Sequence, residues 1–196
     1  MMTCLPADSP ATDLRSPTNQ IIHGSTFPAD LREWVGASEL ICFVLEAVQA
    51  VYWVEPDESG PGMKHSHPQL MLGLLTYAYA TGLQATDEIA RLANEDEALG
   101  YLCLNARFSP RQLRLFRNQN RELLNHCLSR VLRRAWEVES GDCFQPVTDM
   151  SFDQKLRKHF HTEADAAIQR ALQADSATIT TAPDSVSIMK NATIRD

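Results

Sequence analysis

Apolar residues recur every three or four positions through much of this chain, a spacing that places them on one face of an α-helix. Over residues 28–54 the pattern breaks at Gly36–Ser38, which predicts a short helix followed by a longer one. The next segment begins at Pro68, ends at Gly82 and is apolar on nearly every face, so we expect it to be the central helix of a bundle. Alternating β-branched runs are nearly absent before the last twenty residues. The sequence therefore predicts an all-α, compact helical bundle.

Two further helices are predicted, a short acidic one and a long basic one. Thr86 is placed to cap the first, which the pattern ends near Gly100. The second spans residues 108–136, and Ser109 forms a capping box with Gln112 at its start. A short helix followed by a long basic helix is similar to the helix-turn-helix arrangement of DNA-binding proteins, with a longer connection than their usual tight turn.

The remaining segments are predicted to be tails, a linker and one more helix. Residues 1–26 lack periodic apolar positions and are predicted to be a flexible N-terminal tail, whereas the helical domain covers residues 27–140. Residues 141–196 are predicted to hold a linker, one helix at about residues 151–173 and a disordered C-terminal tail. A terminal strand stays open, because two stretches of the tail are β-prone: Ile179–Thr181 and Val186–Ile188.

Eight arginines lie in or just before the basic helix, although the protein has a formal net charge of −7. They are Arg107, Arg111, Arg114, Arg117, Arg121, Arg130, Arg133 and Arg134. Because Glu122 is the single acid between residues 101 and 136, this segment carries +7 and the rest of the chain −14. Like charges on one helix face repel, and a phosphate backbone would relieve that repulsion. Alternatively, the arginine stems cover apolar surface and their guanidinium groups pair with acids elsewhere in the fold.

The sequence contains none of the short motifs of common catalytic and cofactor sites, such as the P-loop or the Rossmann glycine fingerprint. Cys127 is interpreted as a buried structural cysteine, and the acids between residues 87 and 97 as a solvated face that pairs with nearby arginines. Two histidine pairs have a spacing of two, which does not put both side chains on one helix face: His65 with His67, and His159 with His161. We expect no catalytic site, no metal and no cofactor.

The cysteines and the hydropathy of the chain bear on its compartment. Five cysteines occur singly, without a C-x-x-C pair, which is typical of a reduced, cytosolic protein. The N-terminus lacks a basic head followed by an apolar run, and the longest apolar stretches are too short to span a bilayer. We expect a soluble, cytoplasmic protein with one domain and tails.

Several short motifs follow one another in a recognisable order. A His-Pro pair opens an apolar helix with a Tyr-x-Tyr segment and a closing glycine, and a proline then precedes a helix with a Phe-Arg pair and a basic stretch. The residues concerned are His67, Pro68, Leu72, Leu75, Tyr77, Tyr79, Gly82, Pro110, Phe116, Arg117, Asn120 and Leu124. This order resembles the N-terminal domain of bacterial insertion-sequence transposases of the DDE type. With the segment that precedes it, the resemblance covers roughly residues 27–137.

The chain departs from this family at two places. Such transposases commonly carry a Ser-Ser-Arg-like start to the short helix, where this chain has Ala85, Thr86 and Asp87, and an aspartate weakens any phosphate contact there. In the family, a catalytic domain follows that opens with an Asp-Gly-Thr-type strand. Neither Asp142 nor Asp149 lies in such a strand, and the roughly sixty residues after the basic helix are too few for that domain. The resemblance therefore implies no transposition by this chain alone.

Two functions follow as expectations. The first is a non-catalytic protein, derived or truncated from a transposase, that binds double-stranded DNA such as transposon ends. In this hypothesis four arginines contact phosphates or groove edges, namely Arg111, Arg114, Arg117 and Arg121. The others, Arg107, Arg130, Arg133 and Arg134, add attraction. The alternative is a protein-interaction module that packs its apolar positions along Leu113–Ala135 on a second copy or on a full-length transposase. A sequence pI of about 5.3 favours it, because an acidic protein is repelled from DNA at long range.

Overall fold

The computed structural model describes residues 27–52, 68–141 and 150–181, which form eight helices and no strand. The helices are α1 (Arg32–Val35), α2 (Ala37–Tyr52), α3 (Pro68–Ala80), α4 (Thr86–Leu92), α5 (Glu97–Leu102), α6 (Pro110–Gln119), α7 (Arg121–Glu139) and α8 (Met150–Thr181). The predicted all-α class is confirmed. The predicted N-terminal tail lies outside the described residues, and the helix-turn-helix-like arrangement stays a prediction.

Helix α3 is the centre of the bundle, as its sequence predicts. Every residue from Met71 to Ala80 is buried, because α3 is apolar on all faces and is surrounded by α2, α5, α6, α7 and α8. Helix α7 packs on α1, α2, α3 and α8, and its contact with α8 is the most extensive in the fold. Helices α2, α7 and α8 therefore come together beside the core.

A close backbone approach fixes the segment before α1 to the end of α3. The amide of Leu31 donates a hydrogen bond of 3.0 Å to the carbonyl of Ala80. Gly82 has a φ of +79°, and a Cβ at this residue would lie 2.6 Å from the carbonyl oxygen of Ala29. Glycine is therefore required at position 82 both for its backbone conformation and for space.

The predicted single acidic helix is wrong in its extent, because the structure divides it into α4 and α5. Asp96 caps α5, since its carboxylate accepts a hydrogen bond from the amide of Leu99 at 3.0 Å. Thr86 is not the cap of α4: Ala85 occupies that position and has no side chain to accept a hydrogen bond. The backbone amide of Thr86 in the first turn of α4 instead donates a hydrogen bond to a distant residue, Asp175.

The long basic helix is also divided, at Asn120. The predicted start is confirmed, because Ser109 and Gln112 form both hydrogen bonds of the capping box. Asn120 has a φ of −120° and a ψ of 33°, and its side-chain amide donates to the carbonyl of Phe116 at 2.9 Å. An asparagine that bonds the backbone locally offers an alternative to helix continuation, so α6 ends and α7 begins here.

Helix α8 continues past the predicted end near residue 173. It reaches Thr181, so residues 174–181 are helical, and the strand considered at Ile179–Thr181 is absent from the structure. Asp175 lies in this extension and contacts α4 and α6, which explains why local sequence preference did not reveal it. One face of α8 is buried in the core through Leu156, Phe160, Ala164, Ile168 and Ala171. Among the described helices, none is both long enough and apolar enough to cross a membrane.

Candidate nucleic-acid interface

The eight arginines of the basic segment occupy three different environments. Arg114, Arg117 and Arg121 are engaged by aspartates of α4 and α8. Three more line a groove between helices: Arg130, Arg133 and Arg134. Arg107 and Arg111 are exposed near the start of α6 and form no ion pair with a described residue. The environment of each arginine decides whether it is available to a phosphate.

Asp175 is the buried acceptor for two arginines of the first group, Arg117 and Arg114. Its carboxylate lies 2.7 Å from Nη2 of Arg117 and 3.9 Å from Nε of Arg114. It also accepts hydrogen bonds of 2.9 Å from the backbone amide and from the hydroxyl of Thr86. Because Ala85 provides no local cap, Asp175 supplies the capping carboxylate of α4 from a position 89 residues away, where the helix dipole also favours negative charge.

Arg114 and Arg121 complete this set of ion pairs near the surface. Arg114 donates to the hydroxyl of Thr86 at 3.1 Å and to Asp87 at 3.2 Å. Arg121 donates to Asp165 of α8 at 2.6 Å. Asp87 of α4 thus pairs with an arginine of the same chain. Arg114 and Arg117 thereby join α6 to α4 and α8, and Arg121 joins α7 to α8.

Arg117 lies in the interior, with 2% of its surface exposed. A phosphate cannot reach this side chain without opening the core, so its predicted role in DNA contact does not fit its position. Two of its nitrogens, Nε and Nη1, and the hydroxyl of Tyr79 have no hydrogen-bond partner among the described residues. Burial raises the pKa of Tyr79, which therefore stays protonated, and the nearby Arg117 opposes that shift.

The second group of arginines lines a groove of about 460 Å³ between α2, α7 and α8, which we call the basic groove. Its positive side chains are Arg130, Arg133 and Arg134 of α7, with Arg157 of α8. His126 and His161 also line it, as do two acids, Glu46 and Glu137, and the apolar residues Phe43, Ala47 and Phe160. The groove thus gathers four arginines and two histidines in a protein whose formal net charge is −7.

Two carboxylates along the groove each pair with two arginines. Asp153 lies 2.7 Å from Arg157 and 3.2 Å from Arg133. Glu137 lies 2.9 Å from Arg133 and 3.4 Å from Arg134. The charges therefore alternate from Arg157 to Arg134, and each guanidinium, with five N–H donors, keeps donors that these carboxylates do not use. The side chains of Arg157 and Arg134 are 67% and 54% exposed, so those donors are open to a ligand.

Three further basic side chains of the groove, Arg130, His126 and His161, form no ion pair with a described residue. Arg130 is exposed. His126 and His161 have ring centroids 6.2 Å apart, and Nδ1 of His161 lies 2.6 Å from Oδ1 of Asn125. Burial lowers the pKa of His126, and Arg130 and then His161 lower it further, so this imidazole is neutral at pH 7. Protonation of His126 would add positive charge beside Arg130.

Exposed apolar side chains form a separate feature. Tyr101, Leu104 and Leu115 have 61%, 71% and 57% of their surface exposed. Leu104 and Asn105 also have positive φ angles of 51° and 59°, which non-glycine residues rarely adopt. These residues belong to α5, to the connection after it and to α6.

The described cysteines and histidines do not form a reactive centre. Burial raises the pKa of Cys103 to about 11 and that of Cys127 to about 12, which keeps both thiols protonated. The interpretation of Cys127 as a buried structural residue is confirmed. No group of three or more potential metal ligands occurs within residues 27–52, 68–141 and 150–181, and the pair His65 and His67 lies outside these ranges.

The sequence did not predict the groove residues of α8 and α2, namely Arg157, His161 and Phe43. Arg157 and His161 are four residues apart, so they share a face of α8, and this spacing was the available signal. His159 and His161 lie on different faces of α8, as their spacing of two predicts: His161 lines the groove, whereas His159 stacks on Phe27 at 5.9 Å. Phe43 of α2 had no recognisable signal, because a half-buried aromatic residue on an amphipathic helix is usually a core residue.

Comparison of the chain with protein-family models, curated proteins and solved structures gives no match. The transposase resemblance of residues 27–137 therefore stays a prediction.

Proposed function

We propose that this protein binds the phosphate backbone of DNA through the basic groove and does not cut it. The observation that carries this proposal is the concentration of four arginines and two histidines along one groove of an acidic protein. Four arginines against two acids, Glu46 and Glu137, leave the groove with an excess of positive charge, which attracts a polyanion locally even though the net charge of the whole protein is negative. The transposase resemblance supports the choice of DNA among polyanions.

The arginine donors account for phosphate binding in this proposal. Arg130 has no carboxylate partner among the described residues, and the exposed guanidinium groups of Arg134 and Arg157 retain free donors. Phosphate oxygens accept hydrogen bonds from guanidinium groups in a bidentate manner. Release of condensed counterions from the DNA then adds a favourable, salt-dependent contribution.

The proposal changes which residues are assigned to DNA. Arg130, Arg133 and Arg134 are retained, and Arg157 is added. Arg107 and Arg111, which are exposed at the other end of the basic segment, contribute long-range attraction. The three arginines that pair with aspartates, Arg114, Arg117 and Arg121, maintain the fold instead.

A comparison of two triple variants tests this assignment. The groove variant replaces Arg130, Arg134 and Arg157 by Gln, and the control replaces the exposed Arg32, Arg91 and Arg170 by Gln, so both change the net charge by the same amount. Fluorescence anisotropy with a duplex is measured at several salt concentrations. The groove variant should lose affinity and its salt slope should become shallower by about 2–3, whereas the control should change little. Equal losses in both variants would mean that only net charge matters.

A protein-interaction module is the second candidate, favoured by the exposed side chains of Tyr101, Leu104 and Leu115. In that function these residues pack on a second copy or on a full-length transposase. The helically spaced apolar positions along Leu113–Ala135, which the sequence suggested for this contact, are instead largely buried in the core of the chain itself. Sedimentation analysis distinguishes the two candidates. A mass that rises with protein concentration, together with no affinity for DNA, would support the interaction module and contradict DNA binding.

A further inference from the structure

We infer that the basic groove binds single-stranded DNA in preference to duplex, with an unpaired base placed against Phe43. This inference rests on the proposed function, because it uses the same arginines for the phosphates. What it adds is a preferred form of the nucleic acid and a residue that contacts the base.

The shape of the groove is the first reason. Its volume of about 460 Å³ lies within the range of small-molecule sites, roughly 300–1,000 Å³, and side chains of three helices line it. The stacked pairs of a duplex present phosphates and groove edges to a protein, so a recess of this kind stays unfilled by bases. A flexible single strand can turn one base out of its own stack and into the recess.

The composition of the groove is the second reason. Cationic side chains alone would be sufficient for a duplex backbone, yet Phe43, Ala47 and Phe160 also line the groove. Phe160 is buried, but Phe43 is only half-buried. Proteins that bind single strands combine a positive groove with aromatic rings on which bases stack, and this groove has both.

The contact between Arg134 and Phe43 is the third reason. The guanidinium carbon of Arg134 lies 5.6 Å from the centroid of the Phe43 ring. A planar group thus already rests against one face of this ring. Arg134 is 54% exposed and bonds Glu137 at 3.4 Å, a weak attachment, so it can swing toward a phosphate. A base then takes its place on the ring.

Three ligands of equal length separate the contributions of phosphate and base: a thymidine oligomer, an abasic oligomer with the same phosphates, and a duplex. Wild-type protein should bind the thymidine oligomer about tenfold more tightly than the abasic oligomer, and more tightly than the duplex. Phe43→Leu should bind the thymidine and abasic oligomers equally, with unchanged affinity for the duplex. Phe43→Tyr keeps an aromatic ring and should retain the preference for thymidine.

The outcomes distinguish this inference from the proposed function. Duplex binding without any difference between thymidine and abasic oligomers would overturn the inference and leave the proposed function intact. If the wild-type protein binds none of the three ligands, both the inference and the proposed function are overturned. An equal loss for all ligands in Phe43→Leu, with helicity retained by circular dichroism, would also contradict a contact between Phe43 and a base.

Discussion

Arg117 and Asp175 form an ion pair of 2.7 Å in the interior, although 58 positions separate them in the sequence. Their side chains are 3% and 5% exposed. The same carboxylate accepts a hydrogen bond from the backbone amide of Thr86. One aspartate of α8 therefore joins the middle of α6 to the first turn of α4. This contact connects the basic segment to the C-terminal half of α8, and it makes Arg117 a structural residue.

Replacing Asp175 by Asn should destabilise the protein by about 3 kcal/mol, because it leaves the buried charge of Arg117 without its counterion. The matched control is Asp165→Asn, which removes the partner of Arg121. That pair has side chains that are 43% and 48% exposed, and we expect a change of about 1 kcal/mol or less. Urea denaturation followed by circular dichroism measures both. Similar small effects at the two positions would show that Arg117 is hydrated rather than buried.

Gly82→Ala should destabilise more than Gly141→Ala. Both glycines have positive φ angles, of 79° and 60°, so alanine introduces backbone strain of about 1 kcal/mol at either position. Only at Gly82 would the new Cβ collide with a backbone atom, the carbonyl oxygen of Ala29, which should add about 1–3 kcal/mol. Thermal unfolding of the two variants checks this difference. Equal melting temperatures would contradict the close approach between Ala29 and Gly82.

Cys42 should react with a thiol reagent in the folded protein, whereas Cys103 and Cys127 should react only after unfolding. Cys42 is exposed, and burial raises the pKa of the other two to about 11 and about 12, so little reactive thiolate forms at neutral pH. The measurement uses a variant in which Cys4 and Cys143 are replaced by Ser, with mass spectrometry to locate the label. Rapid labelling of Cys127 without denaturant would contradict the packing of α7 on α2.

Binding to the groove should strengthen as the pH falls below 7. Burial, Arg130 and His161 hold the pKa of His126 below its ordinary value, and a phosphate beside this ring would favour its charged form, so binding takes up a proton. The other charged groups that line the groove are Arg133, Arg134 and Glu137 of α7, Arg157 of α8 and Glu46 of α2. His126→Gln should reduce the pH dependence of DNA affinity, whereas His159→Gln, outside the groove, should preserve it.

The sign of the corresponding effect on stability is opposite. Because the pKa of His126 is lower in the folded than in the unfolded chain, the unfolded chain takes up this proton first. The contribution of His126 to the free energy of unfolding is therefore present above a pH of about 6.5 and decreases as the pH falls below it. Circular dichroism at each pH ensures that the binding experiment reports on folded protein. If the DNA affinity of His126→Gln depends on pH in the same way as that of the wild type, the role of His126 in binding is contradicted.

Local signals in the sequence were sufficient for much of the fold. The apolar character of α3 on all faces predicts its burial, and Ser109 with Gln112 predicts the start of α6, because both depend on residues within a few positions. The end of α8 could not be predicted in this way. Asp175 is favourable there only because Thr86 and Arg117 lie beside it in the folded protein.

The candidate site shows the same limitation. The excess of arginine in residues 107–134 was visible, but the sequence left open whether these charges face solvent or acids of the same chain. Asp165 and Asp175 decide the question for Arg121 and Arg117, and they lie 44 and 58 positions away. The groove itself depends on the crossing of α2, α7 and α8, which local periodicity does not specify.

The salt dependence of DNA binding by the wild-type protein tests the central claim most directly. Affinity for a short random duplex is measured by anisotropy between low and physiological salt, and the logarithm of the association constant is plotted against the logarithm of salt concentration. If three or four groove arginines contact phosphates, the plot should be linear with a slope of about −3. No binding at micromolar protein in low salt, or a slope near zero, would contradict the account.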